Sequence, residues 1–236
     1  MPFAPVLHAE WIKIRTLRSL LGSLAAILVA TAAFSALASV DADDSDPLYS
    51  MFFGISFGQI AAIAFGTTAV SSEFRGGALR LSLAAVPDRV RWFAAKAAAI
   101  ALPTLAVGLF TGLVTFLGGR AALGASAPGW AEGLRGAVGC GLYLTLMALF
   151  AAGAAAVLRS GTATLSVLIP FLLIVSFVLG DLSGGVADFL PDRAGQVALH
   201  SAWNGTLGPW SGLAVTALWT AVALLAGGWS LRRRDA

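Results

Sequence analysis

Few residues in this chain have the type and spacing that bond-making chemistry requires. A metal site needs about three convergent ligands, and the expected topology puts the two histidines, His8 and His200, on opposite sides of a membrane. An HxxxN run, His200 to Asn204, has no paired-glutamate motif to work with, because Glu10, Glu73 and Glu132 stand far apart in the sequence. Ser183 and Ser211 have no base on their own side other than His200, so no nucleophile–base pair can be argued. Cys140 is the only cysteine and sits in an apolar run, where it reads as a packing residue. A GxxxxGK(S/T) loop is missing too: the two lysines, Lys13 and Lys96, follow Ile12 and Ala95 rather than glycine. No catalytic, metal or cofactor site is therefore expected in the chain itself. Work driven by ATP and magnesium would need a second polypeptide to bind them.

What the sequence does concentrate is charge. Ser71 to Lys96, SSEFRGGALRLSLAAVPDRVRWFAAK, lies between two long apolar runs and holds five of the fifteen basic residues: Arg75, Arg80, Arg89, Arg91 and Lys96. An ionised side chain at the centre of a membrane helix costs about 2.5–3.5 kcal/mol even on lenient insertion scales, so this segment faces water. Ser71-Ser72-Glu73 offers helix N-cap chemistry, and Gly76-Gly77 interrupts it. Ala78 to Ala85 is expected to make two helical turns, with Leu79 and Leu83 on one side and Arg80 on another. Pro87 ends that segment, and Asp88 caps the helix that carries Arg89, Arg91 and Lys96 into the next apolar run. The expectation is a short helix held stiffly between two spans, a lever through which a soluble partner can pass force.

The elements that must hold this lever follow from hydropathy. The 236 residues are 58% hydrophobic and 11% charged, with a mean hydropathy of +0.85. A soluble domain carries charge on about a quarter of its residues, so this is an integral membrane protein. A hydrocarbon core is about 30 Å thick and a helix rises about 1.5 Å per residue. Runs long enough to cross it occupy residues 20–40, 48–70, 97–117, 136–158, 162–180 and 210–231, giving one all-α domain of six spans over residues 1–236. The basic start and Ala36-Leu37-Ala38 mimic a cleaved signal peptide, but the length of the apolar run favours an uncleaved first span. Before it, residues 3–18 place Phe3, Leu7, Trp11 and Ile14 on one helical face with Glu10 and Lys13 at its flanks. That is the pattern of a helix lying in the headgroup plane, anchored by Trp11.

Small residues recur every fourth position along the second span (Gly54, Gly58, Ala62, Gly66) and again at Gly108 and Gly112 in the third, a spacing that permits close helix approach. Pro170 is expected to kink the fifth span. Residues 118–135 and 181–209 are expected as water-exposed connections, the second dipping back toward the interface. Gln59, Thr111, Thr115 and Thr145 are weakly polar positions that could face a pathway.

Basic residues set the orientation. Twelve of the fifteen fall at the N-terminus, in the 71–96 loop, at Arg159 and at the C-terminus, whereas Arg120, Arg135 and Arg193 fall on the other side. Both termini and the charged loop are therefore expected in the cytoplasm. The net charge of +3 is segregated by loop rather than gathered in a patch, which points to no nucleic-acid partner. Ion-coupled carriers hold an acid or a histidine at membrane depth. None of the six runs does, which disfavours a secondary transporter.

The order Glu73-x-Arg75-x-Gly77-x-Leu79, followed by Leu83, Pro87, Arg89 and Lys96, resembles the intracellular signature of ABC-2 type transporter permeases, the membrane-spanning subunits of bacterial ABC exporters. The opening Glu10-Trp11-x-Lys13-x-Arg15 is similar to the start of many such subunits. Span number, loop lengths and the basic C-terminus extend the resemblance over the whole chain. It implies an elbow helix at residues 3–18, with Trp11, Lys13 and Arg15 at the interface. It also implies a coupling helix around Gly77 to Ala85, docked on a separate ABC ATPase. Glu73, Arg75, Arg80 and Arg89 would be its polar contacts, and Leu79 and Leu83 its apolar docking surface. Residues 181–209 would be an outer re-entrant region. A homodimer, or a heterodimer with a second permease, would form the pathway in the bacterial plasma membrane. The threonine usual after Gly77 is Ala78 here. A stand-alone accessory or immunity membrane protein, with no transport cycle, is the alternative.

Overall fold

A computed structural model describes residues 3–39, 46–175, 178, 185, 187–201 and 205–233. Ser183, Trp203, Asn204 and Arg234 lie outside the described residues, as does the end of the first apolar run at Val40. Ten α-helices are present among the described residues. They are α1 (Phe3–Thr16), α2 (Arg18–Ala38), α3 (Pro47–Phe52), α4 (Ile55–Ser71) and α5 (Ala78–Ala85), then α6 (Arg89–Leu123), α7 (Trp130–Leu158), α8 (Gly161–Pro170), α9 (Pro191–Gln196) and α10 (Pro209–Arg233).

Among the described residues, five helical stretches are long and apolar enough to cross a membrane: α2, α4 with its short 3-10 extension to Phe74, α6, α7 and α10. The chain is a multi-pass membrane protein by helix length and hydropathy. Its centre is α7, which packs against α4, α6 and α10. The approach is close because small residues meet at each contact. A Cβ on Gly66 of α4 would overlap the backbone of Ala148, and one on Gly112 of α6 that of Ala137. Gly108 faces Gly141, and Gly153 of α7 faces Ala223 of α10. Lipid tails are as apolar as leucine, so van der Waals contact of this kind, rather than exclusion from water, holds such helices together. Gly54 and Gly58 serve the same end on the other side of α4, where they meet Thr31 of α2.

Several helices run past the apolar stretches that marked them. The 35 residues of α6 extend about 52 Å at ~1.5 Å per residue, well beyond the bilayer core. Its first turns carry Arg89 and Arg91, and its last carries Arg120. The connection expected over residues 118–135 consequently shrinks to 124–129, because α7 already begins at Trp130. The run 48–70 is not one helix. It breaks at Phe53–Gly54, where Gly54 N–H donates to Ser35 Oγ at 3.0 Å and the chain is pressed against α2. Ser71-Ser72-Glu73 is the end of α4 and a 3-10 turn, with no side-chain cap, rather than the start of a helix.

The run 162–180 begins as α8 and passes after Pro170 into a π-helical turn, Phe171–Val175. The wider turn follows the residue whose ring disrupts α-helical hydrogen bonding. Most of the remainder of that run lies outside the described residues, so the described helix is too short to be a sixth crossing. Of residues 181–209, the described part folds as α9 between two 3-10 turns and packs on α7 and α10, with Thr216 Oγ1 donating to the Pro191 carbonyl at 2.8 Å.

Candidate functional site

The local chemistry of the charged segment sets up its geometry. Gly77, exposed, opens α5 at a φ of 76°, a left-handed conformation that favours glycine. Pro87 is exposed beyond the end of α5, and the Asp88 carboxylate accepts from the N–H groups of Val90 and Arg91 at 3.1 Å each, starting α6. Between these fixed points α5 is a two-turn helix whose orientation is set by its inner face. Leu79 is 5% exposed and packs in the core, and Leu83 is half-buried against it. On the outer side Arg75 and Arg80 are exposed, and Leu81 is 75% exposed.

Behind α5 lies a closed ring of charge. Glu10, Glu73 and Lys96 are each 3% exposed. Lys96 Nζ pairs with Glu10 Oε2, and with Glu73 Oε1 at 2.6 Å. Lys13 Nζ pairs with the same two carboxylates, at 2.9 Å to Glu10 and 2.8 Å to Glu73. Ser82 of α5 donates to Glu73 Oε2 at 3.0 Å and lies 3.3 Å from Lys13 Nζ. Two lysines and two glutamates alternate, so the formal charges cancel, as buried ions require. Lys96 Nζ also stands 5.6 Å from the centroid of the buried Trp92 ring, which attracts a cation. Burial works against the proton on Lys13, but the Glu73 and Glu10 carboxylates outweigh it and hold its pKa above the usual lysine value. The ring joins α1, the turn after α4, α5 and α6, four elements that meet at one end of the bundle.

The expected contact residues differ in their surroundings. Glu73 is buried, with its carboxylate engaged by two lysines and a serine. Leu79 is buried and Leu83 half-buried, both packed on the protein's own core, and the apolar residue that α5 exposes most is Leu81. Arg89 is half-buried, and its Nη1 donates to the Leu231 carbonyl at 2.6 Å, so it ties α6 to the end of α10. On α1 Val6, Glu10 and Ile14 are buried, Leu7 packs half-buried against the core, and Phe3 is exposed. Trp11 is half-buried beside Leu7, His8 and Leu102, and Arg15 is exposed. Glu10, Lys96 and Ser82 were absent from the expected site. The available signal was composition: the ring uses both lysines of the chain and two of its three glutamates.

The basic clusters converge on this end. Arg159, at a positive φ of 55°, closes the α7–α8 turn with its guanidinium 5.5 Å from the Phe74 ring. The opposite end holds Arg120, 4.4 Å over the Trp130 ring, and Arg135, whose Nη2 donates to the His200 carbonyl at 2.7 Å. Between the ends, Gln59, Thr111, Thr115 and Thr145 are all buried in helix packing, and Gln59 accepts from the Tyr143 hydroxyl.

His200 has a structural role at that opposite end. Its Nδ1 lies 2.7 Å from Asp46 Oδ2, and its ring stacks on Tyr49 with centroids 4.3 Å apart. Asp46 Oδ1 accepts from the N–H groups of Tyr49 and Ser201, both at 3.0 Å. A carboxylate only accepts, so Nδ1 carries the proton of the neutral ring. Burial lowers the His200 pKa despite the neighbouring carboxylate. Burial alone would raise that of Asp46, but its hydrogen bonds to Ser201, Tyr49 and His200 bring it below the usual value. Both groups bind fewer protons folded than unfolded, so stability is complete above the unfolded histidine value of about 6.5 and falls with pH below it. The thermal unfolding midpoint in detergent should therefore drop on acidification from pH 7 to 5.5, and His200→Asn should flatten that drop. A midpoint that rises over this range would show that the ring gains its proton on folding.

The fold and its buried charge define a multi-pass helical membrane protein with a charged anchor at one end. The chain matches no known protein-family model and no curated protein.

Proposed function

We propose that the chain is the membrane-spanning subunit of an ABC-2 type exporter, a permease worked through α5 by a separate ABC ATPase. The observation that carries this reading is the two-sided construction of α5. Its outer side offers Arg80 and Leu81 to a soluble partner, while its inner side is bonded through Ser82 to the Glu10–Lys13–Glu73–Lys96 ring. A push on α5 from an ATPase closing around ATP would pass through Ser82 and Leu79 to the Glu73 turn, and through the two lysines to α1 and α6. A neutral, fully paired ring moves as a unit, because parting any pair leaves a buried charge exposed to low dielectric.

In this reading the basic end is cytoplasmic, with both termini there. The α1 helix is the elbow in the headgroup plane, and the stretch that begins with α8 completes a sixth span. A second copy or a related permease supplies the other half of the pathway. The absence of a Walker lysine is consistent with this division of labour.

Affinity purification from native membranes, read by mass spectrometry, tests the reading. The wild-type chain should bring down an ABC ATPase. Leu81→Asp should reduce that recovery by roughly tenfold or more, the effect of losing ~1.4 kcal/mol of docking energy. Leu81 is exposed, so the thermal unfolding midpoint should not change. A wild-type purification without any ATPase would instead favour a stand-alone accessory or immunity protein, and undiminished recovery with Leu81→Asp would remove α5 as the contact. Leu79→Asp is unsuitable here, since it places a charge in the core.

A further inference from the structure

At the basic end, residues of α6 and α10 line a groove of about 560 Å³. Phe93 and Ala97 line it from α6, and Leu224, Gly228 and Arg232 from α10. We propose that this groove holds an acyl chain of one anionic glycerophospholipid from the leaflet at the basic end, with the lipid phosphate against Arg232.

Depth, shape and charge each support this occupant. Both walls belong to helices long and apolar enough to cross the bilayer, and the groove lies toward their basic end, where acyl chains give way to headgroups. The two adjacent glycines of α10 divide the labour. Gly227 is pressed against Gly153 and Ala156 of α7, whereas a Cβ on Gly228 would find only ordinary contact with Phe93 at 3.6 Å. Gly228 thus leaves open space that the fold does not need. Trp229 is exposed at the mouth, at the level where an amphipathic ring meets headgroups, and Arg233 lies 4.2 Å over it.

The charge at that corner favours an anion over a zwitterion. Arg89, Arg91, Arg232 and Arg233 lie at that corner, and Asp88 faces Arg91 and Arg232. Its carboxylate already accepts the two N–H groups that start α6 and lies 3.7 Å from Arg91 Nε. A basic residue near the surface is worth about 1 kcal/mol toward an anionic headgroup, roughly fivefold in affinity.

The test is a lipid titration of the purified full chain in detergent, read by native mass spectrometry, with dioleoyl-phosphatidylglycerol against dioleoyl-phosphatidylcholine. The wild type should retain phosphatidylglycerol more tightly, with one molecule per chain in the strongest class. Arg232→Gln should weaken it by about fivefold and weaken phosphatidylcholine, whose choline offsets its phosphate, by less. Gly228→Leu should fill the groove and remove the tight class for both lipids, at an unaltered thermal midpoint; Arg232→Gln decides alone if that variant does not fold. Equal retention of the two lipids in wild type and Arg232→Gln would overturn the proposal. So would a disulfide between two copies of a Gly228→Cys chain in native membranes, since a second chain would then cover the groove.

Discussion

Lys96→Met should lower the stability of the folded chain by about 3–5 kcal/mol, the usual penalty for removing one member of a buried ion pair. Methionine preserves the length and volume of the side chain, so little of this comes from a cavity. The damage is electrostatic. Glu10 and Glu73 are each 3% exposed, and without Lys96 they must share Lys13, whose side chain is 37% exposed. A net negative charge is then left in a poorly solvated place, and the cation facing Trp92 is lost. At about 2–4 °C per kcal/mol for a chain of this size, the midpoint should fall by roughly 10 °C. Lys96→Met with Glu10→Gln removes an opposite charge with the ammonium and should recover much of the loss. Lys13→Met should be milder than Lys96→Met, because water already reaches that lysine. A Lys96→Met midpoint within error of wild type would mean that the ring does not hold α1 to α6. A double variant no better than the single would assign the loss to packing instead of charge.

The parts of this site that could be read from sequence are those governed by local chemistry. Gly77, Pro87 and Asp88 act on their immediate neighbours, and the bounds of α5 fall where Gly-Gly and proline put them. The long helices were less legible because hydropathy marks the part immersed in lipid, not the part that is helical. Arg120 and Glu132 read as a connection, yet both lie on helices that run past the apolar stretches, whereas Arg89 and Arg91 read as helical from the Asp88 cap. The ring was illegible for a different reason. Glu10 and Lys96 are brought together by tertiary packing alone, and a lysine at the edge of an apolar run reads as solvated unless its partner is known. Leu79 and Leu83 show the same limit at the scale of one helix. An i, i+4 leucine pair predicts which side of α5 is buried, but not against what, and here the protein itself supplies the surface. The glycine stripe on α4 gave its spacing in the sequence and withheld its partners, which are α2 at Gly54 and Gly58 and α7 at Gly66.

That last contact supports a prediction of opposite signs for the same substitution. Gly66→Ala should destabilise the protein by about 1–3 kcal/mol, the usual penalty of forcing one methyl group into filled space. The added Cβ would collide with the Ala148 carbonyl and lie 3.1 Å from Ala148 Cα. These are backbone atoms that cannot swing aside, so α4 and α7 must separate. Gly22→Ala, on the exposed face of α2 with nothing within 4 Å of the new Cβ, meets no such obstacle. It should instead stabilise by about 0.5–1 kcal/mol through reduced backbone freedom in the unfolded chain. Thermal midpoints of the two purified variants compare them directly, and equal midpoints would show that α4 and α7 have slack between them. The effect should reach beyond stability. The turn that holds Glu73 follows the last residue of α4, so a displaced α4 shifts one carboxylate of the ring while Glu10 stays with α1. Gly66→Ala should for that reason couple to Lys96→Met in a double-variant cycle, although Gly66 touches neither lysine.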